Sequence, residues 1–262
     1  MTALFTKESL ITRLREIRQQ GWIENTRNSK NSGSVGNILE DLLGITENNL
    51  PLPNAAEWEL KCHRLGTNSL TTLLHIEPSP RALKFVSNVL LPKYGWPHQE
   101  AGKRYSEQEK SFRQTICNTR YSDRGFKVVV DRNLQKILIS FCSKSVSERH
   151  SDWLGKIAIA AGLDDLDPQP YWGFQDIYHK AGGKLLNCFF IGATTKKEQG
   201  KEFFKYESIY QLSDFSLERF ITAIEKDDIL IDFDARTGHN HGTKFRFRNG
   251  SLPELYENVK EI

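Results

Sequence analysis

The run "GFKVVVDRNLQKILISF", residues 125–141, constrains the fold more than any other part of the chain. Two β-rich segments flank Asp131-Arg132-Asn133, and that arrangement reads as a hairpin. A hairpin is antiparallel, whereas parallel strands need long crossovers. Around it, helical and strand-like segments follow one another without regular βαβ units. Leu10, Ile11, Leu14 and Ile17 recur at helical spacing, with Gly21 as a stop. "ILEDLLG" carries the apolar stripe Ile38, Leu39, Leu42, Leu43 and is ended by Gly44. Strands are expected near 56–63, 69–77, 184–193 and 203–212. Helices are expected over "RALKFVSNVLL", near 153–161, near 173–181 and over "SDFSLERFITAIEKDD". "ILIDFDA" and "TKFRFR" read as two further strands. The pattern implies an α+β fold with a mixed sheet rather than a doubly wound parallel one.

The chain has 262 residues, 38% hydrophobic and 26% charged, a composition that favours neither disorder nor a membrane protein. No apolar run approaches the roughly 20 residues needed to span a bilayer. The opening "MTALFTKESL" shows no secretory pattern, so a cytoplasmic protein is expected. Cys62, Cys117, Cys142 and Cys188 are widely spaced and read as buried thiols in a reducing compartment. The acidic, Pro-rich "GLDDLDPQPYWG" suggests a soft boundary, dividing the chain into lobes 1–150 and 151–262. A net charge of +3 is too small to argue for a nucleic-acid partner; its distribution must do so.

Two stretches carry candidate chemistry. In "PNAAEWELK", alternation on a strand puts Glu57, Glu59 and Lys61 on one face and Trp58, Leu60 and Cys62 on the other. Hydrolysis of a phosphodiester needs a hard cation held by oxygen ligands and a lysine near the phosphate. Glu59 and Lys61 meet part of that need. The Leu60 carbonyl offers a neutral ligand, and Glu40 lies on a helix just upstream. Taken alone, Glu-x-Lys on a strand is more often a solvated ion pair. The second stretch, Arg236 to Arg248, contains no acid and holds Arg236, Lys244, Arg246 and Arg248 with His239 and His241 between them. Such groups suit guanine edges and phosphates, although a solvated hairpin would look the same.

Together, "GWIENTRN", "GNILEDLLG", "PNAAEWELK", "FFKYESIYQLSDFS", "IEKDDILIDFDA" and "GHNHGTKFRF" resemble, in order and over most of the chain, the MvaI/BcnI family of type II restriction endonucleases. These are relatives of the mismatch-repair nickase MutH within the PD-(D/E)XK nuclease fold. The resemblance implies Mg²⁺-dependent cleavage of double-stranded DNA by a monomer, one strand at a time, at a short CC(N)GG-like site. It also implies a cognate DNA methyltransferase as genetic partner. By position, Glu59 matches the metal-binding acid, Lys61 the catalytic lysine and Glu40 the supporting helical glutamate. His239, His241 and Arg246 match base-contacting positions, with Asp232 accepting from a cytosine amino group. Asn54 stands where the family has its first metal-binding aspartate, and an Asn carbonyl brings no negative charge. Two explanations stay open. Asn54 is a deliberate replacement of an aspartate, which the otherwise complete motif favours, or it is natural and the chain is weak, inactive or borrows Glu57. Asp234 replaces a residue that is often basic in the family, which leaves the target sequence open. A MutH-like nickase and a non-catalytic DNA-binding protein on the same scaffold are the rival readings.

Overall fold

The computed structural model describes residues 5–27, 33–45, 57–248 and 250–262. Helix α1 (Lys7–Gln19) starts at Thr6, whose hydroxyl accepts from the Ser9 amide while the Ser9 hydroxyl accepts from the Thr6 amide. Strand β1 (Ile23–Glu24) precedes α2 (Ser34–Leu43), which Gly44 ends in the left-handed region at φ 67°. Next come β2 (Glu59–Arg64), β3 (Thr71–His75), α3 (Leu91–Tyr94), β4 (Trp96–Pro97) and β5 (Lys110–Ile116). The expected central hairpin is β6 (Arg124–Asp131) with β7 (Lys136–Val146). Beyond it lie α4 (Ser151–Ala160), β8 (Tyr171–Gly173) and α5 (Phe174–Leu185). A long hairpin follows, β9 (Asn187–Glu198) with β10 (Lys201–Phe215), then α6 (Leu217–Glu225). The chain continues through β11 (Ile229–Arg236), β12 (His239–Asn240), β13 (Lys244–Phe247) and β14 (Tyr256–Glu261).

The α+β expectation holds, with local differences. The helix expected over "SDFSLERFITAIEKDD" begins only at Leu217, because Ser213–Phe215 still belong to β10. "RALKFVSNVLL" is not one helix. Lys84 sits at φ 45°, which stops a 3₁₀ turn over Arg81–Leu83, and a π turn over Val86–Leu90 precedes α3. Pro92 explains the widening: it has no amide to give the preceding turn, and the Leu91 amide reaches back to Val86. The strand expected from 184 starts only at Asn187, because α5 runs on to Leu185.

Two compact units form, and neither is continuous in sequence. Unit 1 comprises residues 1–71, 179–219 and 247–262; unit 2 comprises 72–178 and 220–246. Residue 150, the expected boundary, therefore lies within unit 2. In unit 1 the strands run in the order β1-β10-β9-β2, with β14 also on β10. Edge strand β2 is parallel to β9, in the register Glu59↔Cys188, Leu60↔Phe189, Lys61↔Phe190. Helices α1 and α2 bury Leu10, Leu14, Val35, Ile38 and Leu39 against Trp58, Leu60, Phe189 and Ile191. In unit 2 one sheet has the order β3-β13-β11-β5-β4, with β12 on β11, and a second has the order β6-β7-β8. Between them lies an aromatic cluster in which Phe126 packs edge-on against Tyr94 and Phe112 and tilted against Phe141. Trp172 is buried and Trp153 nearly so, each donating its indole N–H to a backbone carbonyl, as expected of packing residues.

Candidate active site

The alternation predicted for "EWELK" is what the sheet realises. Trp58, Leu60 and Cys62 face α1 and α2, while Glu59 and Lys61 share the other face of β2 with Cys188 and Phe190 of β9. Glu59 is only 1% exposed. Its Oε1 receives the Lys61 ammonium at 2.7 Å and faces Lys184, from the last turn of α5, at 3.6 Å. Its Oε2 is buried and has no hydrogen-bond partner among the described residues. A buried carboxylate oxygen without a proton donor against it is costly unless something positive meets it. It is also the hard anionic donor that a divalent cation takes. This oxygen fits a metal; no cluster of three His, Cys, Asp or Glu side chains occurs among the described residues.

The surroundings keep this face dry. His63 stacks on Phe190 with ring centroids 4.3 Å apart. Burial holds its imidazole below the ordinary value, with a backbone hydrogen bond at Ile191 opposing weakly. Burial likewise raises the Cys188 thiol, next to Glu59 in register, and the Tyr256 phenol. All four cysteines are free, but only Cys188 is fully buried. Glu40 lies in the last turn of α2, and its charge helps raise the Cys62 thiol after burial itself. Glu57 is exposed, just ahead of β2. Asn54 falls outside the described residues.

In unit 2 the second stretch forms a polar sheet face. Asp232, Asp234 and Arg236 alternate along β11 with buried Phe233 and Ala235. Asp232 accepts from the Thr115 hydroxyl at 2.8 Å and pairs with Arg246 at 3.4 Å. Asp234 lies 3.3 Å from Arg113 and 3.2 Å from Lys244. Arg236 pairs with Glu109 at 3.1 Å and covers the Tyr105 ring. These ion pairs are longer than the 2.7–2.9 Å of tight charge-assisted bonds. His239 and His241 are exposed and meet edge to face, 4.2 Å between centroids. Gly242 follows at φ 82°, and Glu77 accepts from the Thr243 amide at 2.7 Å, fixing the entry into β13. Arg248 is exposed and belongs to unit 1.

Sequence reasoning missed Lys184, Thr115, Glu77 and Glu109. Each acts across a strand pairing or from a distant helix, so no local spacing marks it.

Comparison with known proteins places this geometry. A sequence model of the MvaI/BcnI restriction endonuclease family matches residues 11–256. No curated protein matches the chain. Among solved structures, the restriction endonuclease MvaI–cognate DNA substrate complex is similar at a TM-score of 0.76 and 24% identity, covering 98% of this chain and 99% of that one. Restriction endonuclease MvaI in the absence of DNA is similar at a TM-score of 0.55 and 25% identity, with both chains fully covered.

Proposed function

This chain belongs to the MvaI/BcnI restriction endonuclease family, and from that membership we propose Mg²⁺-dependent cleavage of double-stranded DNA at a short, GC-rich CC(N)GG-like site. The observation that carries the metal-dependent part is the buried Glu59, with one oxygen on Lys61 and the other without a partner. Glu59, the Leu60 carbonyl and Asn54 would hold the cation, supported by Glu40. A divalent cation bound there supplies phosphate polarisation and a water of lowered pKa. Lys61 balances charge at the scissile phosphate and orients the attacking water. The dry face formed by Phe190 and Tyr256 strengthens both interactions. Arg246, His239 and His241 donate to guanine O6 and N7, Asp232 accepts from cytosine N4, and Arg236, Lys244 and Arg248 meet phosphates. One such site cuts one strand at a time, so a monomer suffices.

Asn54 favours one second reading, a DNA-binding protein that does not cut. Incubating the chain and its Asn54→Asp variant with plasmid DNA and Mg²⁺, then sequencing the ends, decides between them. Fixed short sites cut by the variant, with binding but little cutting by the chain itself, mark Asn54 as a disabled metal ligand. Cutting by both assigns the missing acid to another residue, Glu57 first. Specific binding without cleavage by either leaves the binding protein. Autonomous linearisation of the plasmid also excludes a nickase that depends on partners.

A further inference from the structure

One buried carboxylate needs one counter-charge, yet Glu59 has two. Lys61 meets Oε1 at 2.7 Å, and Lys184 approaches the same oxygen at 3.6 Å. Two ammonium groups converging on one oxygen repel each other, and a lysine at a helix end can ordinarily snorkel into water. Lys184 stays in part because the fold directs it there. Ala181 and Leu185 are fully buried and anchor the last turn of α5. The chain then enters β9, where Cys188 is the register partner of Glu59. The side chain of Lys184 remains 27% exposed, against 13% for Lys61. The side chain is therefore both tied to the buried acid and in part exposed to solvent.

A second feature points the same way. Gly182 and Gly183 immediately precede Lys184 within α5, and a Cβ on either would meet nothing within 4 Å. Neither glycine is needed for packing, and each costs a helix interior about 1 kcal/mol relative to alanine. Two adjacent glycines leave a bare backbone next to Lys184 in the chain, where another backbone can approach closely. The Glu59–Lys61–Lys184 group carries one positive charge in excess. A phosphodiester carries one negative charge.

We propose that Lys184 is a second phosphate-binding lysine of the cleavage centre, contacting the DNA backbone beside Glu59 and Lys61. This assignment rests on the reading of the chain as a DNA-cutting enzyme. Because a lysine–phosphate contact releases a counterion, it can be tested without metal or catalysis.

The affinity of the full chain for a random-sequence duplex, in EDTA, is measured across a salt series for the natural residue, Lys184→Met and Lys184→Arg. Lys260→Met, on an exposed position of β14, is the control. If Lys184 contacts a phosphate, Lys184→Met lowers the slope of log K against log salt by about one and weakens binding about five-fold near 0.15 M salt. Lys184→Arg keeps the slope, and the control leaves it unchanged. An unchanged slope in a folded Lys184→Met variant overturns the assignment and leaves Lys184 as counter-charge to Glu59. Should Lys184→Met lose its melting transition, Lys184→Gln, which keeps a donor against Glu59, carries the same slope test. A chain that binds no duplex DNA at all overturns the nuclease reading itself, and Lys184 with it. That outcome is distinct, because it appears before any residue is changed.

Discussion

At the scale of single residues, Glu59 is the pivot of unit 1. Replacing it with alanine leaves Lys61 and Lys184 facing each other without the carboxylate they share. Breaking a buried pair by removing one partner costs about 3–5 kcal/mol. Glu59→Ala is therefore expected to lose about that much stability in urea unfolding and all Mg²⁺-dependent cleavage. Lys61→Met should keep the fold and DNA binding but lower cleavage about 100-fold or more, the order seen when a charge-stabilising donor is lost. If Glu59→Ala unfolds at the same urea concentration as the parent, the two lysines do not depend on it. His63 gives a prediction in pH. Burial holds its pKa below 6.5 in the folded chain, whereas the unfolded chain keeps the ordinary value. Below about pH 6.5 the unfolded state takes up a proton that the folded state refuses, so stability falls as pH drops toward the folded pKa. Above that window the contribution is fully present. His63→Phe preserves the stack on Phe190 and removes the titration. Its urea midpoint should fall less between pH 7 and 5.5 than that of the parent, and parallel curves would refute the assignment.

At the scale of elements, local signals were legible where one face is apolar and the other wet. The stripe of α2 with Gly44 at its end, the alternation of β2 and the β6–β7 hairpin are of this kind; the Thr6 cap was not read from the sequence. Pairing was not legible. Nothing near Glu59 in sequence announces β9, because a parallel partner comes by crossover and its register is fixed by the buried set Leu60, Cys62, Phe189 and Ile191. The same holds for Thr115 and Arg113, which reach Asp232 and Asp234 only through the β5–β11 register. The turn into β13 was half legible: the run His-x-His-Gly-Thr was singled out, but not Glu77 as its clamp. Gly242 at φ 82° makes this turn testable. A side chain there is strained by about 1–3 kcal/mol whatever the space around it. Gly242→Ala should lower stability within that range and displace His239 and His241. Competition binding should then show specific affinity falling more than non-specific affinity. An equal fall in both would mean that the turn does not serve base reading.

At the scale of the whole molecule, the division into units does not run along the chain, and the proposed roles divide by unit. The expected boundary near residue 150 separated early residues from late ones. The units instead interleave, because β9, β10 and β14 complete the sheet of β2, and β11 and β13 complete the sheet of β3 and β5. A single Pro-rich stretch cannot reveal an arrangement in which the chain changes unit four times. The acid and lysines of the candidate metal site lie in unit 1, while Asp232, Asp234 and Arg246 lie in unit 2. Sites with no shared partners change free energies additively, within about 0.5 kcal/mol. Glu59→Gln should therefore abolish cleavage yet leave the ratio of specific to non-specific binding in EDTA unchanged. Arg246→Ala should lower that ratio by about 1–3 kcal/mol for the base it reads. The double variant should combine both effects without a coupling term, measured as binding in EDTA at fixed salt. Coupling above about 1 kcal/mol would show that metal site and reading face share one conformational equilibrium. Discrimination would then belong to the step that assembles the cleavage centre, and specificity in cutting would exceed specificity in binding.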